Sequence, residues 1–389
     1  MNNMKRVALV TTVPETFATI LCDQPRYLSR EFGVSLISSP GEMMDRVVKN
    51  EGVAFHTVAM KRGISPFFDI YSLLRMILSL LRIRPALVHS YTPKAGLVAM
   101  LAAFLVRVPV RIHTFTGLIF PTSRGLKRHL LILIDRLICA CATHVVPEGL
   151  GVQQDLARFQ ITLKPMRIIG NGNIAGVDTA HFSPVHSQVI QAGAELRARL
   201  KISRDEFVFC FIGRLNKDKG LGELMAAFAT LAESSHLILA GGYDATAPVS
   251  PIQWKAINSH PRVHVLGFLE DIRPVLSLAD VFVLPSYREG FPNVLLQAGA
   301  MGLPVIATDI NGCNEIIENR INGWLIPPRD ALALTSAMQD SMALPSEERA
   351  EMGRRARMRI AERFEREQYW IKLDEFYRGL LQSTGKAVT

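Results

Sequence analysis

Short runs of β-branched and aromatic residues alternate with helical patterns along the whole chain. The runs predict β-strands, at RVALVT, VSLIS, ALVHS, VRIHT and THVVP in the first half and at FVFCFIG, HLILAGG, RVHVLGF and VFVLPS in the second. They are apolar almost throughout, which is typical of strands buried on both faces. Buried strands that alternate with helices predict an α/β protein with parallel sheets covered by helices.

The alternation pauses once, between about residues 168 and 206, in a glycine-rich segment followed by a polar helical stretch. A chain of 389 residues also exceeds the size at which one hydrophobic core stops growing. We therefore predict two domains, at residues 1–175 and 176–389. A C-terminal helix at about residues 365–384 carries apolar and aromatic positions suited to docking, and we expect it to pack back on the first domain.

Composition fits a globular protein, because apolar residues make up 49% of the chain and charged residues 20%. The N-terminal apolar stretch meets Pro14 and Glu15 before it reaches signal-peptide length, and the longest uncharged apolar run, 95–106, is shorter than a membrane span. The cysteines have neither zinc nor redox spacing and are expected to be buried thiols: Cys22, Cys139, Cys141, Cys210 and Cys313. These features predict a cytoplasmic protein.

The net charge of +9 lies entirely in the first half, because residues 1–180 contain 21 Lys and Arg against 11 Asp and Glu, and residues 181–389 contain 23 against 24. A basic half suits nucleic acid, an anionic membrane or a phosphorylated acceptor, and the interleaved apolar residues favour the membrane. Residues 61–84 and a stretch from Arg124 predict amphipathic helices that lie on a surface. Binding to anionic membranes is expected through Arg75, Arg82, Arg84, Arg124, Lys127 and Arg128. The alternative is a pair of core-packing helices with a solvated basic edge.

The stretch FIGRLNKDKGLGELMAAF places a basic, glycine-containing loop between a strand at 207–212 and a helix. Arg214 and Lys219 can neutralise a diphosphate beside the helix N-terminus, where free N–H groups also favour anions. A Walker loop requires Lys where Leu221 follows Gly220, so the nucleotidase interpretation fails. The pattern predicts a phosphate site, with Arg214 and Lys219 both in an exposed loop, and an ordinary turn with exposed basic residues remains the alternative.

A second constellation, VFVLPSYREGFPNVLLQAGAMGLPVIATD, follows from Val281. After a strand at 281–285, Glu289 and Gly290 open a turn, and Pro292 suits the first position of a helix. The leading amides of that helix are predicted to face a ligand phosphate, and they belong to Phe291, Asn293 and Val294. Glu289 follows a parallel strand at the edge where open α/β sheets bind ligands, so its carboxylate can accept hydrogen bonds from sugar hydroxyls. A carboxylate that pairs with the helix dipole is the alternative.

These pieces, in this order, resemble family 4 of the retaining glycosyltransferases, which have the GT-B fold. The resemblance spans nearly the whole chain and rests on VHSYTPKAG, RIHTFTG, GNGNIAGVDTAHFSP, GRLNKDKG, HVLGFLEDI, LPSYREGFPNVLLQAGAMGLPVIATD and NGWLIPP. It implies two Rossmann-like, doubly wound parallel-sheet domains that face each other across a cleft. The N-terminal domain is expected to bind the acceptor and the C-terminal domain the nucleotide sugar.

The resemblance implies that Arg214 and Lys219 hold the donor diphosphate and that Glu289 contacts the donor sugar. In the family a second Glu, separated from the first by seven intervening residues, holds the ribose, and this chain has Gln297 there, a neutral amide with one acceptor oxygen. His113, in RIHTFTG at the end of a predicted strand, matches the His that the family places facing the donor sugar across the cleft, where a neutral imidazole can hydrogen-bond a sugar hydroxyl. Without the resemblance, a structural role is the alternative for a His at a strand end. The predicted donor-binding set is Gly213, Arg214, Lys219, Gly267, Glu289, Gly290, Phe291, Pro292, Asn293, Val294 and Gln297.

Two further features lie in the first half of the chain. The loop after the first strand reads TTVPETF where many family members carry a glycine pair, which leaves acceptor contacts at Pro14 and Glu15 undecided. His89, in VHSYTPKAG, is interpreted as structural.

The implied reaction is a retaining transfer from a UDP-linked sugar to an undecaprenyl-diphosphate-linked saccharide, at the inner face of a bacterial membrane. The motifs resemble those of enzymes that add N-acetylhexosamines in O-antigen or capsule assembly. No metal or other cofactor is expected, because Arg214, Lys219 and helix amides offset the charge that grows on the leaving diphosphate. The departing phosphate takes the acceptor proton in the favoured family mechanism, so no protein base is nominated.

Three alternatives come from other functional classes. A Rossmann dehydrogenase needs GxGxxG after the first strand, where this chain has TTVPETF. A sugar-nucleotide epimerase shares the fold. A non-catalytic sugar-nucleotide-binding protein is suggested by Gln297 alone.

Overall fold

A computed structural model describes residues 4–61, 63, 65–245 and 247–386. The chain divides into two compact units. The first consists of Met1–Ala175 together with Arg366–Thr389, and the second is Gly176–Glu365. Each unit is built on its own six-stranded sheet.

The sheet of the first unit has the strand order β3-β2-β1-β4-β5-β6, and every neighbouring pair is parallel. The strands are β1 (Arg6–Val10), β2 (Gly33–Ser38), β3 (Ala54–Thr57), β4 (Leu87–Ser90), β5 (Val110–Phe115) and β6 (His144–Pro147). The central strand β1 is buried on both faces, since Val7, Leu9 and Val10 have no exposed surface. This is the reason for the nearly continuous apolar runs in the sequence.

Helices cover both faces of this sheet. They are α1 (Gln24–Leu28), α2 (Met44–Glu51), α3 (Pro66–Ile83), α4 (Pro93–Leu105), α5 (Gly125–Cys141) and α6 (Leu150–Arg158). The amphipathic helix predicted from residue 61 begins at Pro66 instead, because proline suits the first turn of a helix. Arg62 and Ile64, in the stretch before it, lie outside the described residues.

The helices α3 and α5 each pack one face on the core and expose a second apolar stripe. Met76 and Leu80 of α3 and Ile138 of α5 are buried in one core cluster. The exposed stripe of α3 consists of Phe67, Ile70, Tyr71, Leu74, Leu78 and Leu81. The exposed stripe of α5 consists of Leu126, Leu130, Leu133 and Leu137. Both interpretations of these helices were therefore incomplete, because the same helix serves the core and presents apolar side chains to solvent.

The second unit repeats the topology, with the order β12-β11-β10-β7-β8-β9 in a fully parallel sheet. Its strands are β7 (Phe207–Ile212), β8 (Ser235–Ala240), β9 (Val263–Gly267), β10 (Val281–Leu284), β11 (Val305–Thr308) and β12 (Gly323–Ile326). In both sheets the first and fourth strands of the unit are neighbours, and the strand order reverses between them. That reversal defines the doubly wound fold and places the ligand crevice beyond the carboxyl ends of those two strands.

The helices of the second unit are α7 (Ser187–Arg199), α8 (Leu221–Phe228), α9 (Pro251–Ser259), α10 (Arg273–Leu278), α11 (Asn293–Ala300), α12 (Cys313–Ile316), α13 (Ala331–Ala343) and α14 (Ser346–Phe364). Helix α14 ends before Glu365, and the chain continues as α15 (Arg366–Lys386), which belongs to the first unit. The side chains of Trp370, Leu373 and Tyr377 are buried in the first unit's core, whereas Phe364 is buried in the second.

Three strands were not predicted from the sequence, namely β3, β11 and β12. β3 is an edge strand with half-exposed side chains and shows no apolar run, whereas β11 and β12 lie in LPVIATD and NGWLIPP, which were considered only as motifs. The five cysteines are free thiols, and all but the half-buried Cys22 are buried, as predicted. Among the helices of the described ranges, none combines the length and the apolar composition needed to cross a bilayer.

Candidate functional site

The site in the second unit is built where β7 and β10 lie side by side, at the reversal of strand order. The glycine-containing loop 213–220 follows β7, and the loop 285–292 follows β10. Lys219 of the first loop and Glu289 of the second therefore meet, with Nζ of Lys219 donating to Oε1 of Glu289 at 2.5 Å. The fold brings together two residues that are separated by 70 positions in the sequence.

Gly220 allows the two loops to approach this closely. Its φ is +67°, in the left-handed region that favours glycine, and a Cβ there would overlap the carbonyl oxygen of Pro285. Beside it, the amide of Tyr287 donates to the carbonyl oxygen of Asp218 at 2.8 Å. The glycine in the predicted phosphate loop is thus required for packing between loops.

Lys219 and Glu289 are mostly buried, with side-chain exposures of 17% and 13%. We expected Lys219 in an exposed loop, and that expectation was wrong for this residue. Both charged groups are largely shielded from solvent, and each stabilises the charge of the other in the ligand-free protein. Lys219 has three N–H donors, and its bond to Glu289 leaves others for a ligand phosphate.

Arg214 has a different environment, because 64% of its side chain is exposed. Its Nη1 donates to Oδ2 of Asp244 at 2.7 Å, and Nδ2 of Asn216 donates to the same oxygen at 3.1 Å. Asp244 lies on the loop after β8, and its own amide donates to the carbonyl oxygen of Leu215 at 3.2 Å. No motif in the sequence marks Asp244, since its position depends on the pairing of two separate loops.

A hydrogen bond between the loop after β10 and helix α8 was also not predicted from the sequence. The hydroxyl of Tyr287 donates to the carboxylate of Glu223 on α8, at 2.7 Å from Oε1 and 2.5 Å from Oε2. The guanidinium of Arg329 lies over the Tyr287 ring, 4.1 Å from its centroid. Burial and the neighbouring Glu223 carboxylate raise the pKa of Tyr287, so the phenol stays protonated and acts as a donor.

The loop after β10 leads into α11 with a small difference from the prediction. Pro292 is the N-cap residue of α11, and Asn293 is its first helical residue, whereas we placed Pro292 at the first helical position. The Phe291 side chain is buried and packs on Phe364, so only its backbone remains for a ligand. Val294 and Gln297 are half-buried on α11.

The remaining predicted donor residues lie at the same edge of the sheet. Gly213 directly follows β7, and its amide donates to the carbonyl oxygen of Ala240 at 2.9 Å. Gly267 ends β9 with a φ of +71°. Gly290 directly follows Glu289 in the loop after β10. The second unit thus gathers its predicted residues at the carboxyl ends of three strands.

In the first unit, His113 lies within β5, not at its end as predicted, and is 1% exposed. Its Nδ1 is 2.8 Å from the hydroxyl oxygen of Ser90 on β4. The ring lies against the first turn of α4, where a Cβ at Gly96 would overlap it. Burial lowers the pKa of His113 to about 3, so the imidazole is neutral at physiological pH. Neither Ser90 nor Gly96 was singled out in the sequence.

His89 belongs to the interior of the first unit. Its Nδ1 is 2.6 Å from the hydroxyl oxygen of Tyr377 on α15, and its Nε2 is 2.6 Å from that of Thr114. Both ring nitrogens are thus engaged, and burial holds the pKa of His89 well below its usual value. His89 fastens α15 to the sheet, which agrees with its interpretation as structural.

Within the described residues, one group of side chains has the spacing of metal ligands, namely Cys22, Asp23 and Glu51. The two carboxylate oxygens of Glu51 already accept from the amides of Asp23, at 2.9 Å, and Arg26, at 3.0 Å. Asp23 also accepts from Arg26 and Arg366. These contacts describe a carboxylate that caps the start of α1, with its oxygens committed to N–H donors.

Two family models match the chain, one in each unit. A glycosyl transferase 4-like domain matches residues 19–172, and a glycosyl transferases group 1 domain matches residues 206–343. The chain therefore joins a glycosyltransferase 4-like domain to a glycosyltransferase group 1 domain. The group 1 domain contains Arg214, Lys219 and Glu289, and the 4-like domain contains His113.

Relatives of this glycosyltransferase chain match it over most of their length. The capsular polysaccharide biosynthesis glycosyltransferase CapM of Staphylococcus aureus is 27% identical over 99% of this chain and 100% of its own. The UDP-Gal:alpha-D-GlcNAc-diphosphoundecaprenol alpha-1,3-galactosyltransferase of Escherichia coli is 27% identical over 80% of each chain. A Campylobacter jejuni N,N'-diacetylbacillosaminyl-diphospho-undecaprenol alpha-1,3-N-acetylgalactosaminyltransferase is 26% identical over 71% of this chain and 72% of its own.

Solved structures show the same fold. Anabaena Alr3699/HepE in complex with UDP aligns with a TM-score of 0.79 and 18% identity over 96% of this chain and 100% of its own. WaaG, a glycosyltransferase involved in lipopolysaccharide biosynthesis, aligns with a TM-score of 0.70 and 14% identity over 95% of this chain and 99% of its own. The two parallel α/β units are thus those of the GT-B fold, as predicted.

Proposed function

We propose that this protein transfers a hexose or N-acetylhexosamine from a UDP-linked sugar to an undecaprenyl-diphosphate-linked saccharide, with retention of the anomeric configuration. The observation that carries the proposal is the pair of cations on the loop after β7, at the reversal of strand order in the group 1 domain. Arg214 and Lys219 stand where a doubly wound sheet binds its ligand. A nucleoside diphosphate has the charge that two such cations recognise.

The two loops divide the work of donor binding. Lys219 and Arg214 offset the negative charge that develops on the leaving diphosphate, in place of a metal ion. Glu289, fixed beside Lys219, accepts hydrogen bonds from hydroxyls of the donor sugar. The amides that start α11 at Asn293 and Val294 add donors for a phosphate. Gln297, further along the same helix, is proposed to contact the ribose.

The retaining course needs no base from the protein in this proposal. The acceptor hydroxyl attacks the anomeric carbon on the face from which the diphosphate departs, the bond to the diphosphate breaks, and the leaving phosphate oxygen takes the hydroxyl proton. His113 is proposed to contribute a neutral imidazole to the reaction, and its low pKa excludes a role as a proton donor at neutral pH.

The acceptor class rests on the relatives. Two of them are named for transfer to diphosphoundecaprenol-linked sugars, and a third for capsular polysaccharide biosynthesis. A lipid-linked acceptor requires the enzyme to work at the inner face of the cell membrane. The first unit offers the surface for it, because the exposed apolar stripes of α3 and α5 run beside the exposed basic residues Arg75, Arg82, Arg84, Arg124 and Lys127.

The experiment is a transfer assay with a panel of radiolabelled UDP- and GDP-sugars and a polyprenyl-diphosphate-linked monosaccharide acceptor. Wild-type protein is compared with Arg214→Ala and with Lys217→Ala, a matched control that removes an exposed lysine from the same loop. We expect transfer from one UDP-sugar, a loss of roughly 10²–10³-fold in Arg214→Ala, and an unchanged rate in Lys217→Ala. Equal rates in all three proteins would refute the assignment of the loop.

Gln297 provides the observation for a non-catalytic alternative, because it replaces a ribose-binding carboxylate with an amide. Gln297→Glu is expected to lower the donor KM and leave kcat within a few-fold, since a hydrogen bond to a charged group is stronger by roughly 1 kcal/mol. Glu289→Gln should mainly lower kcat. A wild-type protein that is inactive with every donor, beside an active Gln297→Glu variant, would favour the non-catalytic alternative. Epimerised donor formed without acceptor would favour an epimerase.

A further inference from the structure

The two cations of the donor loop are held by carboxylates from opposite sides. Lys219 pairs with Glu289 on the loop after β10, and Arg214 pairs with Asp244 on the loop after β8. Asp244 is not among the residues predicted to bind the donor, whereas Lys219, Glu289 and Arg214 are. Asp244 places a negative charge against the guanidinium that the proposed function assigns to the donor diphosphate.

The two pairs differ in how readily they exchange partners. Lys219 and Glu289 are 17% and 13% exposed, whereas Arg214 is 64% exposed and Asp244 10%. An ion pair with one largely exposed member is weak, because solvent screens it and the long side chain gains freedom when released. Arg214 is therefore the member of the donor loop that changes partner at little cost.

Asp244 is held by contacts other than the one with Arg214. Its Oδ2 also accepts from Nδ2 of Asn216 at 3.1 Å, and its amide donates to the carbonyl oxygen of Leu215 at 3.2 Å. The amide of Leu215 in turn donates to the carbonyl oxygen of Gly242 at 2.9 Å. The backbone of the two loops thus fixes the carboxylate, and the exposed guanidinium is the mobile half of the pair.

We propose that Asp244 is the exchange partner of Arg214, holding the guanidinium while the site is empty and yielding it to the donor diphosphate. The carboxylate competes with the nucleotide for one cation, which lowers nucleotide affinity. It recaptures Arg214 when the nucleoside diphosphate product departs, which speeds release. This inference rests on the proposed function, because it takes Arg214 to bind the diphosphate.

The test is UDP binding by calorimetry to wild type, Asp244→Asn, Arg214→Ala and the double variant, with Tm measured for each. The amide side chain keeps the shape of the carboxylate and an acceptor for Asn216 but loses the charge. We expect Asp244→Asn to bind UDP about two- to fivefold more tightly than wild type, and UDP to dissociate correspondingly more slowly in stopped flow. The gain should shrink as salt rises.

The double variant separates exchange from simple repulsion. Removing the Asp244 charge relieves repulsion of UDP in any background, but competition for the guanidinium exists only when Arg214 is present. The gain from Asp244→Asn should therefore be larger with Arg214 than with Ala at that position. Weaker or unchanged binding by Asp244→Asn, or an equal gain in both backgrounds, overturns the exchange. Asp244→Ala, which also removes the acceptor for Asn216, should change UDP affinity in the same direction.

The outcome for Arg214→Ala alone keeps the two proposals apart. If that variant binds UDP as well as wild type does, the assignment of the donor site fails. If it binds more weakly while Asp244→Asn gains nothing, the donor site stands and only the exchange is wrong.

Discussion

Removal of Lys219 should damage both stability and catalysis, and the two effects can be separated. Lys219→Ala leaves the Glu289 carboxylate, 13% exposed, without its cation. Loss of one partner costs about 3–5 kcal/mol for a fully buried pair and roughly 0–1 kcal/mol for an exposed one. This pair lies between those limits, so we expect the free energy of unfolding to fall by about 1–3 kcal/mol.

Calorimetry measures the stability effect, because roughly 2–4 °C of Tm corresponds to 1 kcal/mol in a unit of this size. The control is the double variant Lys219→Met with Glu289→Gln, which removes both charges and should recover most of the lost Tm. Transfer should remain about 10²–10³-fold below wild type in both proteins, because both lack the Lys219 charge and keep only Arg214 for the diphosphate. Arg214→Ala, at an exposed position, should change stability by no more than about 0.5 kcal/mol.

An unchanged Tm in Lys219→Ala would show that the pair does not form in solution. Recovery of transfer together with Tm in the double variant would refute the donor role and leave Lys219 a structural residue. Only low activity with restored stability agrees with the site described above.

Three further predictions concern the first unit. Gly96→Ala should reduce transfer without unfolding the protein, because the new methyl group displaces the His113 ring, and Ser90→Ala should leave a smaller loss in the same assay. Because the pKa of His113 is lowered to about 3, the stability that its neutral ring contributes is complete above pH 6.5 and is lost as pH falls towards 3. The loss is about 1.4 kcal/mol per pH unit, and the difference in unfolding free energy between wild type and His113→Asn should follow that slope. The triple variant Leu74→Ser, Leu78→Ser and Leu81→Ser should no longer sediment with anionic liposomes at high salt. Charge reversal at Arg75 and Arg82 should weaken liposome binding only at low salt, and unchanged binding in both variants would reject the membrane surface.

The sequence predicted four of the six strands of the second unit, and its two six-residue strands, β7 and β8, are buried along nearly their whole length. β7 was expected at residues 207–212 and is found there. The strands β11 and β12 have four residues each, as β10 does, but they lie in LPVIATD and NGWLIPP, where proline and glycine flank the apolar run and only a motif was considered.

Only those site residues were predicted that lie within a recognisable sequence motif. Arg214, Lys219 and Glu289 lie in such motifs, and their roles remain predictions. Asp244 and Glu223 could not be found in this way, because their importance depends on loops that meet only in the folded sheet. The same reason explains the error over Lys219, whose burial is decided by a partner 70 residues away.

The stereochemistry of the product is the sharpest test of a retaining, metal-independent transfer. The enzyme is incubated with its α-configured UDP-sugar and lipid-linked acceptor in excess EDTA, and the new linkage is read by NMR from the anomeric proton. We expect an α-linked product formed at the same rate with and without EDTA. A β-linked product, or activity that is lost in EDTA and restored by Mg²⁺ or Mn²⁺, would contradict it.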